Sequence, residues 1–124
     1  MTQTTETNFP PLRLAPTIRV VFRPEGEPAT VRSVPYTLGA LQDLIGGQLY
    51  AILLDGTHDL VLDEEGLFPK GRPLNPCPLL PDAYRDAIYG SWFIAKREGA
   101  DWVSMSADGA EVYCNIINKL INES

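Results

Sequence analysis

A chain of 124 residues with 44% hydrophobic and 21% charged residues can bury one core but not two. Its net charge is −6, with ten Lys and Arg scattered against sixteen Asp and Glu, and this argues against a phosphate-tracking surface, which needs clustered cations. No apolar run approaches the about 20 residues of a membrane helix, residues 1–8 carry no basic-then-apolar signal, and two cysteines cannot frame a disulfide scaffold.

Residues 1–16 are mostly polar and proline-punctuated without periodicity, and are expected to be a disordered leader before a single domain over 17–124. Residues 17–23 are β-rich, residues 24–28 carry turn chemistry, and residues 29–34 resume an alternating strand, which together predict a hairpin. Pro35 ends it. Thr37 is placed to cap a short helix whose apolar face is Leu38, Leu41, Leu44 and Ile45, and Gly46-Gly47 stops that helix. Residues 48–54 are almost wholly apolar, which predicts a central strand covered on both faces. Asp55-Gly56 marks a tight turn, and residues 59–63 form the returning strand. An irregular piece from Leu67 to Pro81 follows, carrying five prolines, then one helical turn over 82–88. Strands are expected at 90–96 and 101–105. Ser106 caps a final amphipathic helix with Tyr113, Ile116, Ile117, Leu120 and Ile121 on its apolar face. The order predicts an α+β domain: a mainly antiparallel sheet, a short helix after the first hairpin and a C-terminal amphipathic helix.

Chemistry-bearing groups are sparse. Asp63-Glu64-Glu65 could hold a divalent cation, but alternation puts only Asp63 and Glu65 on one face and no calcium loop surrounds them, so a solvated strand end is the reading preferred. His58 is the only histidine, and it stands beside a hairpin turn rather than near Ser91 or Cys77 in sequence, so no nucleophile triad is assembled. Cys77, Cys114 and His58 are too few for a zinc site. Neither a dinucleotide nor a phosphate-loop motif is present, and no cofactor, metal or catalytic residue is expected. Trp92 and Trp102 read as core anchors and Cys114 as a small core hydrophobe.

The richest stretch is the proline loop with the segment after it. It gathers Arg72, Asn75, Tyr84, Arg85, Asp86 and Tyr89, residue types that line ligand pockets and protein interfaces. The competing structural reading has Asn75 and Asp86 bonding loop backbone, as Asx side chains do.

Five segments occur in a telling order: Leu41-Gln42-Asp43-Leu44-Ile45-Gly46-Gly47, Asp63-Glu64-Glu65-Gly66, Pro73-Leu74-Asn75-Pro76, Asp86-Ala87-Ile88-Tyr89-Gly90 and Ser104-Met105-Ser106-Ala107-Asp108. The series resembles a small bacterial and phage domain family of unknown function over residues 17–122. The resemblance implies a fold and an origin on phages, mobile elements or chromosomes, and no chemistry. Arg72 stands where that family commonly has a leucine, and Gly109 and Ala110 replace the acidic opening of the last helix.

The function expected is a non-catalytic cytoplasmic accessory protein. It would bind a host protein or a small molecule through the Arg72–Tyr89 loop, with homodimerisation through a sheet edge and no direct contact with nucleic acid or membrane. Two alternatives stand beside it: an acidic DNA mimic that blocks a nucleic-acid enzyme, and a small hydrolase working through Asp63, Glu65 or Asp86.

Overall fold

The computed structural model describes residues 16–81 and 87–123. The expected leader lies outside the described residues except for Pro16, and so does most of the helical turn at 82–88. Strands β1 (Thr17–Arg23) and β2 (Thr30–Pro35) form the first hairpin, and helix α1 (Leu38–Ile45) follows. Strands β3 (Leu49–Leu53) and β4 (His58–Asp63) form a second hairpin, β5 (Trp92–Glu98) and β6 (Asp101–Val103) a third, and helix α2 (Ala107–Asn122) closes the chain. All pairings are antiparallel, in the order β2-β1-β5-β4-β3, with β6 also paired to β5. The chain is therefore the α+β domain that the hydrophobic pattern predicts.

Both helices begin and end as their capping chemistry requires. The Thr37 hydroxyl accepts from the Ala40 amide at 3.1 Å, and the Ser106 hydroxyl accepts from the Gly109 amide at 3.0 Å. Gly46 takes a left-handed φ of 84° and donates to the Gln42 carbonyl at 2.7 Å, ending α1.

Alternation splits the strands between two faces. Val21, Leu60, Leu62, Trp92 and Ile94 point one way and are covered by Ala110, Cys114 and Ile117 of α2, with Cys77, Leu80 and Ile88 from the long loop. Val20, Phe22, Val61, Phe93 and Ala95 point the other way and meet Leu41 and Ile45 of α1. The first layer makes the proline loop part of the fold, through Cys77 and Leu80.

Two expectations are corrected. β3 is an edge strand rather than a central one, with Tyr50 and Leu53 exposed at 46% and 65%. Its apolar character reflects an uncovered face. On α2, Ile116 is exposed, and the buried line runs through Ala110, Cys114 and Ile117. Both tryptophans anchor the core as expected: Trp92 is fully buried, and Trp102 of β6 is half-buried with its ring edge-on to Phe93 at 5.9 Å.

Candidate functional site

The proline loop folds back on itself through backbone bonds. The Asn75 amide donates to the Ile88 carbonyl at 2.7 Å, Gly90 to Pro73 at 3.1 Å, and Tyr89 to Gly66 at 2.8 Å. Leu74 and Tyr89 form an isolated antiparallel bridge. Asn75 locks this return. Its side-chain amide donates to the Gly90 carbonyl at 2.9 Å and to the Arg23 carbonyl at 3.3 Å, and the Trp92 indole donates to the Asn75 carbonyl at 2.7 Å. Asn75 is 1% exposed.

Arg72 sits on the outside of the same return. Its guanidinium pairs with Asp63 at 2.6 Å and donates to the Gly46 carbonyl at 3.2 Å. Glycines make the room. A β-carbon on Gly47 would lie 2.6 Å from the Asp63 carboxylate, and one on Gly90 would lie 2.9 Å from Arg72 Nη1. Gly90 also has a φ of 84°, which favours glycine on its own. Four of the five ordered segments, scattered over residues 41–90 in sequence, thus converge on one ion pair and one buried asparagine.

Of the six loop residues singled out from sequence, three are described. Asn75 is buried, Arg72 is tied to Asp63 and Gly46, and Tyr89 is half-buried in the bridge to Leu74. Tyr84, Arg85 and Asp86 lie outside the described residues. The acidic cluster is engaged as well: Asp63 accepts from the Glu65 amide at 3.1 Å, and Glu65 pairs with Lys70 at 3.3 Å on the surface. Among the described residues no group of three or more His, Cys, Asp or Glu could hold a metal ion. No helix among them is long and apolar enough to cross a membrane.

A second polar constellation escaped the sequence reading. The Asp55–His58 turn folds against α2. His58 Nδ1 lies 2.8 Å from the Thr57 hydroxyl, 3.2 Å from Asp55 and 3.2 Å from the Tyr113 hydroxyl. Tyr113 donates to Asp55 at 2.9 Å, and its ring packs 4.8 Å from the imidazole. Partial burial by itself raises the Asp55 carboxyl, but the Thr57 amide, the Tyr113 hydroxyl and His58 outweigh it and hold the group well below the usual carboxylate range. Burial first, and the Asp55 hydrogen bond and charge next, push the Tyr113 phenol up to about 12. The signal was present in Asp55-Gly56, whose tight turn brings residues 55, 57 and 58 together, and in the helical spacing that turns Tyr113 inward.

Fold and site together define a small α+β domain whose motif residues hold its loop in place. The chain belongs to a domain family of unknown function, the one described as Domain of unknown function (DUF3846), whose model matches residues 18–118. No curated protein and no solved structure matches it significantly.

Proposed function

We propose that this protein is a non-catalytic binding module that works as a homodimer joined through β3. The observation that carries the reading is the character of this edge. From Gln48 to Leu54 there is no charge, no proline and no lysine, the devices that normally blunt an exposed edge. Tyr50 and Leu53 stand exposed on it, with Phe68 exposed at 56% on the adjoining loop.

The backbone register suits a second copy. Glu64 donates to the Gln48 carbonyl at 2.7 Å and Leu54 to the His58 carbonyl at 3.0 Å. Alternation then directs Tyr50 and Ile52 toward β4 and leaves the main-chain groups of Leu49, Ala51 and Leu53 pointing outward. Antiparallel pairing about a two-fold axis at Ala51 opposes the smallest side chain with itself and Leu49 with Leu53. No like charges meet.

The rival readings find less support. Asp59, Asp63 and Glu65 each face a cation, Arg97, Arg72 and Lys70 respectively, so this part of the acidic surface is locally neutralised rather than arrayed as a phosphate mimic. The same pairing engages two of the three carboxylates that a hydrolase would need. An accessory role in a bacterium, phage or mobile element belongs to this reading and is supported by the family resemblance, and a cytoplasmic location by the lack of a cysteine framework.

Light scattering coupled to size-exclusion chromatography tests the proposal. The wild-type protein is expected to run as a dimer at micromolar concentration, and Ala51→Pro and Leu53→Lys as monomers with unchanged circular dichroism. Proline at 51 removes only an outward amide and spares the ladder to β4. Val31→Lys, on the opposite edge strand, should remain dimeric. A wild-type monomer, or a dimer indifferent to both β3 variants, overturns the reading. If such a monomer captured another protein in an Ala51-sensitive way, the edge would belong to that partner.

A further inference from the structure

A cavity of about 280 Å³ lies where the β4–β5 ladder meets the first turn of α2, lined by His58, Lys96, Ser106, Gly109 and Tyr113 among others. His58 and Lys96 are direct cross-strand partners, so their side chains rise from the same face of the sheet at adjacent positions. Two basic groups placed opposite each other cost stability unless something negative lies between or beside them. The Lys96 ammonium makes no hydrogen bond or ion pair with the described residues.

The nearest negative charge is already committed. Asp55 accepts from the Thr57 amide at 2.7 Å, from the Thr57 hydroxyl at 3.1 Å and from Tyr113 at 2.9 Å, and it faces His58 Nδ1. All hydrogen bonds of the imidazole run through Nδ1, which fixes the ring plane and leaves Nε2 without a hydrogen-bond partner among the described residues. Asp108, in the first turn of α2, and Glu98, two residues past Lys96 on the same strand face, are the other acidic groups close by in the chain, and both are exposed.

We propose that this cavity binds a small oxyanion, a phosphate or carboxylate group of a soluble ligand, held by the Lys96 ammonium and by the Nε2–H of the His58 imidazolium, the form in which both ring nitrogens donate. Asp55, Thr57 and Tyr113 act as positioning residues that orient the imidazole. The volume admits a group of a few heavy atoms. Nothing in the arrangement requires the β3 dimer, so the two proposals stand or fall separately.

His58 is the sole histidine, so its ring protons give one unambiguous nuclear magnetic resonance signal. The protein is titrated with inorganic phosphate, and separately with succinate, at constant ionic strength set by chloride. The expected result is a saturable shift of the His58 signal with at least one of the two, with affinity reduced tenfold or more in Lys96→Gln. Lys119→Gln, in the last turn of α2, should bind as the wild type does. A shift that stays linear with both anions, or one that saturates identically in Lys96→Gln, overturns the proposal. Tyr113→Phe supplies a second variant: freed from Tyr113, the ring should give a weaker saturable shift in a protein of unchanged circular dichroism, and undiminished affinity counts against the positioning role.

Discussion

The Trp92 indole donates to the main-chain carbonyl of Asn75 at 2.7 Å, with both residues buried to within 1% exposure. This bond joins the start of β5 to the middle of the proline loop. It makes a loop of fifteen residues, 67–81, a wall of the core rather than a surface excursion. Asn75→Ala removes the donors to Gly90 and Arg23 and leaves buried carbonyls unpaired. The expected cost is about 2–3 kcal/mol, read as a lower denaturant midpoint with an unchanged slope. Trp92→Phe, which loses one bond and some volume, should cost no less.

Two glycines predict opposite signs for one substitution. Gly47→Ala would drive a β-carbon to 2.6 Å from the Asp63 carboxylate, which Arg72 and the Glu65 amide hold in place. A loss of about 1–3 kcal/mol is expected from such overpacking. Gly39 lies in α1 with nothing within 4 Å of its added β-carbon. Gly39→Ala should stabilise by roughly 0.5–1 kcal/mol through helix propensity. Thermal melts of the two variants side by side check both signs.

Arg72 and Asp63 form an ion pair that is buried on the acid's side and partly open on the base's, at 9% and 27% side-chain exposure. Arg72→Ala strands a nearly buried carboxylate. The destabilisation should fall below the about 3–5 kcal/mol of a fully buried pair, because solvent reaches the site, and about 2 kcal/mol is expected. Arg72→Lys should recover much of it, since the contacts to Asp63 and Gly46 both leave from the single nitrogen Nη2 and an ammonium carries three donors. Urea unfolding of both variants gives the comparison.

Tyr113 and Asp55 make stability depend on pH at both extremes. The folded state favours the neutral phenol, so the Tyr113 contribution is full below its ordinary value near 10 and is lost as pH rises through about 12. The folded state favours the Asp55 carboxylate, so that contribution is full above the ordinary carboxyl range near 4 and is lost as pH falls below it. Ultraviolet difference titration of the wild type against Tyr113→Phe should isolate a tyrosinate transition near 12. In Asp55→Asn the transition should move down toward the ordinary value without reaching it, because burial remains.

Sequence by itself determined the elements, the caps and the α+β class. These depend on local physics: a Thr or Ser hydroxyl meeting the amide three residues on, a glycine accepting a left-handed turn, apolar residues at a period of two or 3.6. It also ordered the five segments on which the family resemblance rests. Tertiary structure alone decided what those motifs do. Gly47, Asp63, Arg72, Asn75 and Gly90 are remote in sequence, and only the return of the loop onto β1 and β5 turns them inward. The rank of β3 at the sheet edge was equally hidden, because an apolar run has the same composition whether protein or water lies beside it. His58, Lys96 and Tyr113 meet for the same reason: strand register and helix docking are long-range choices, set by which faces bury most apolar surface, and no local signal encodes them.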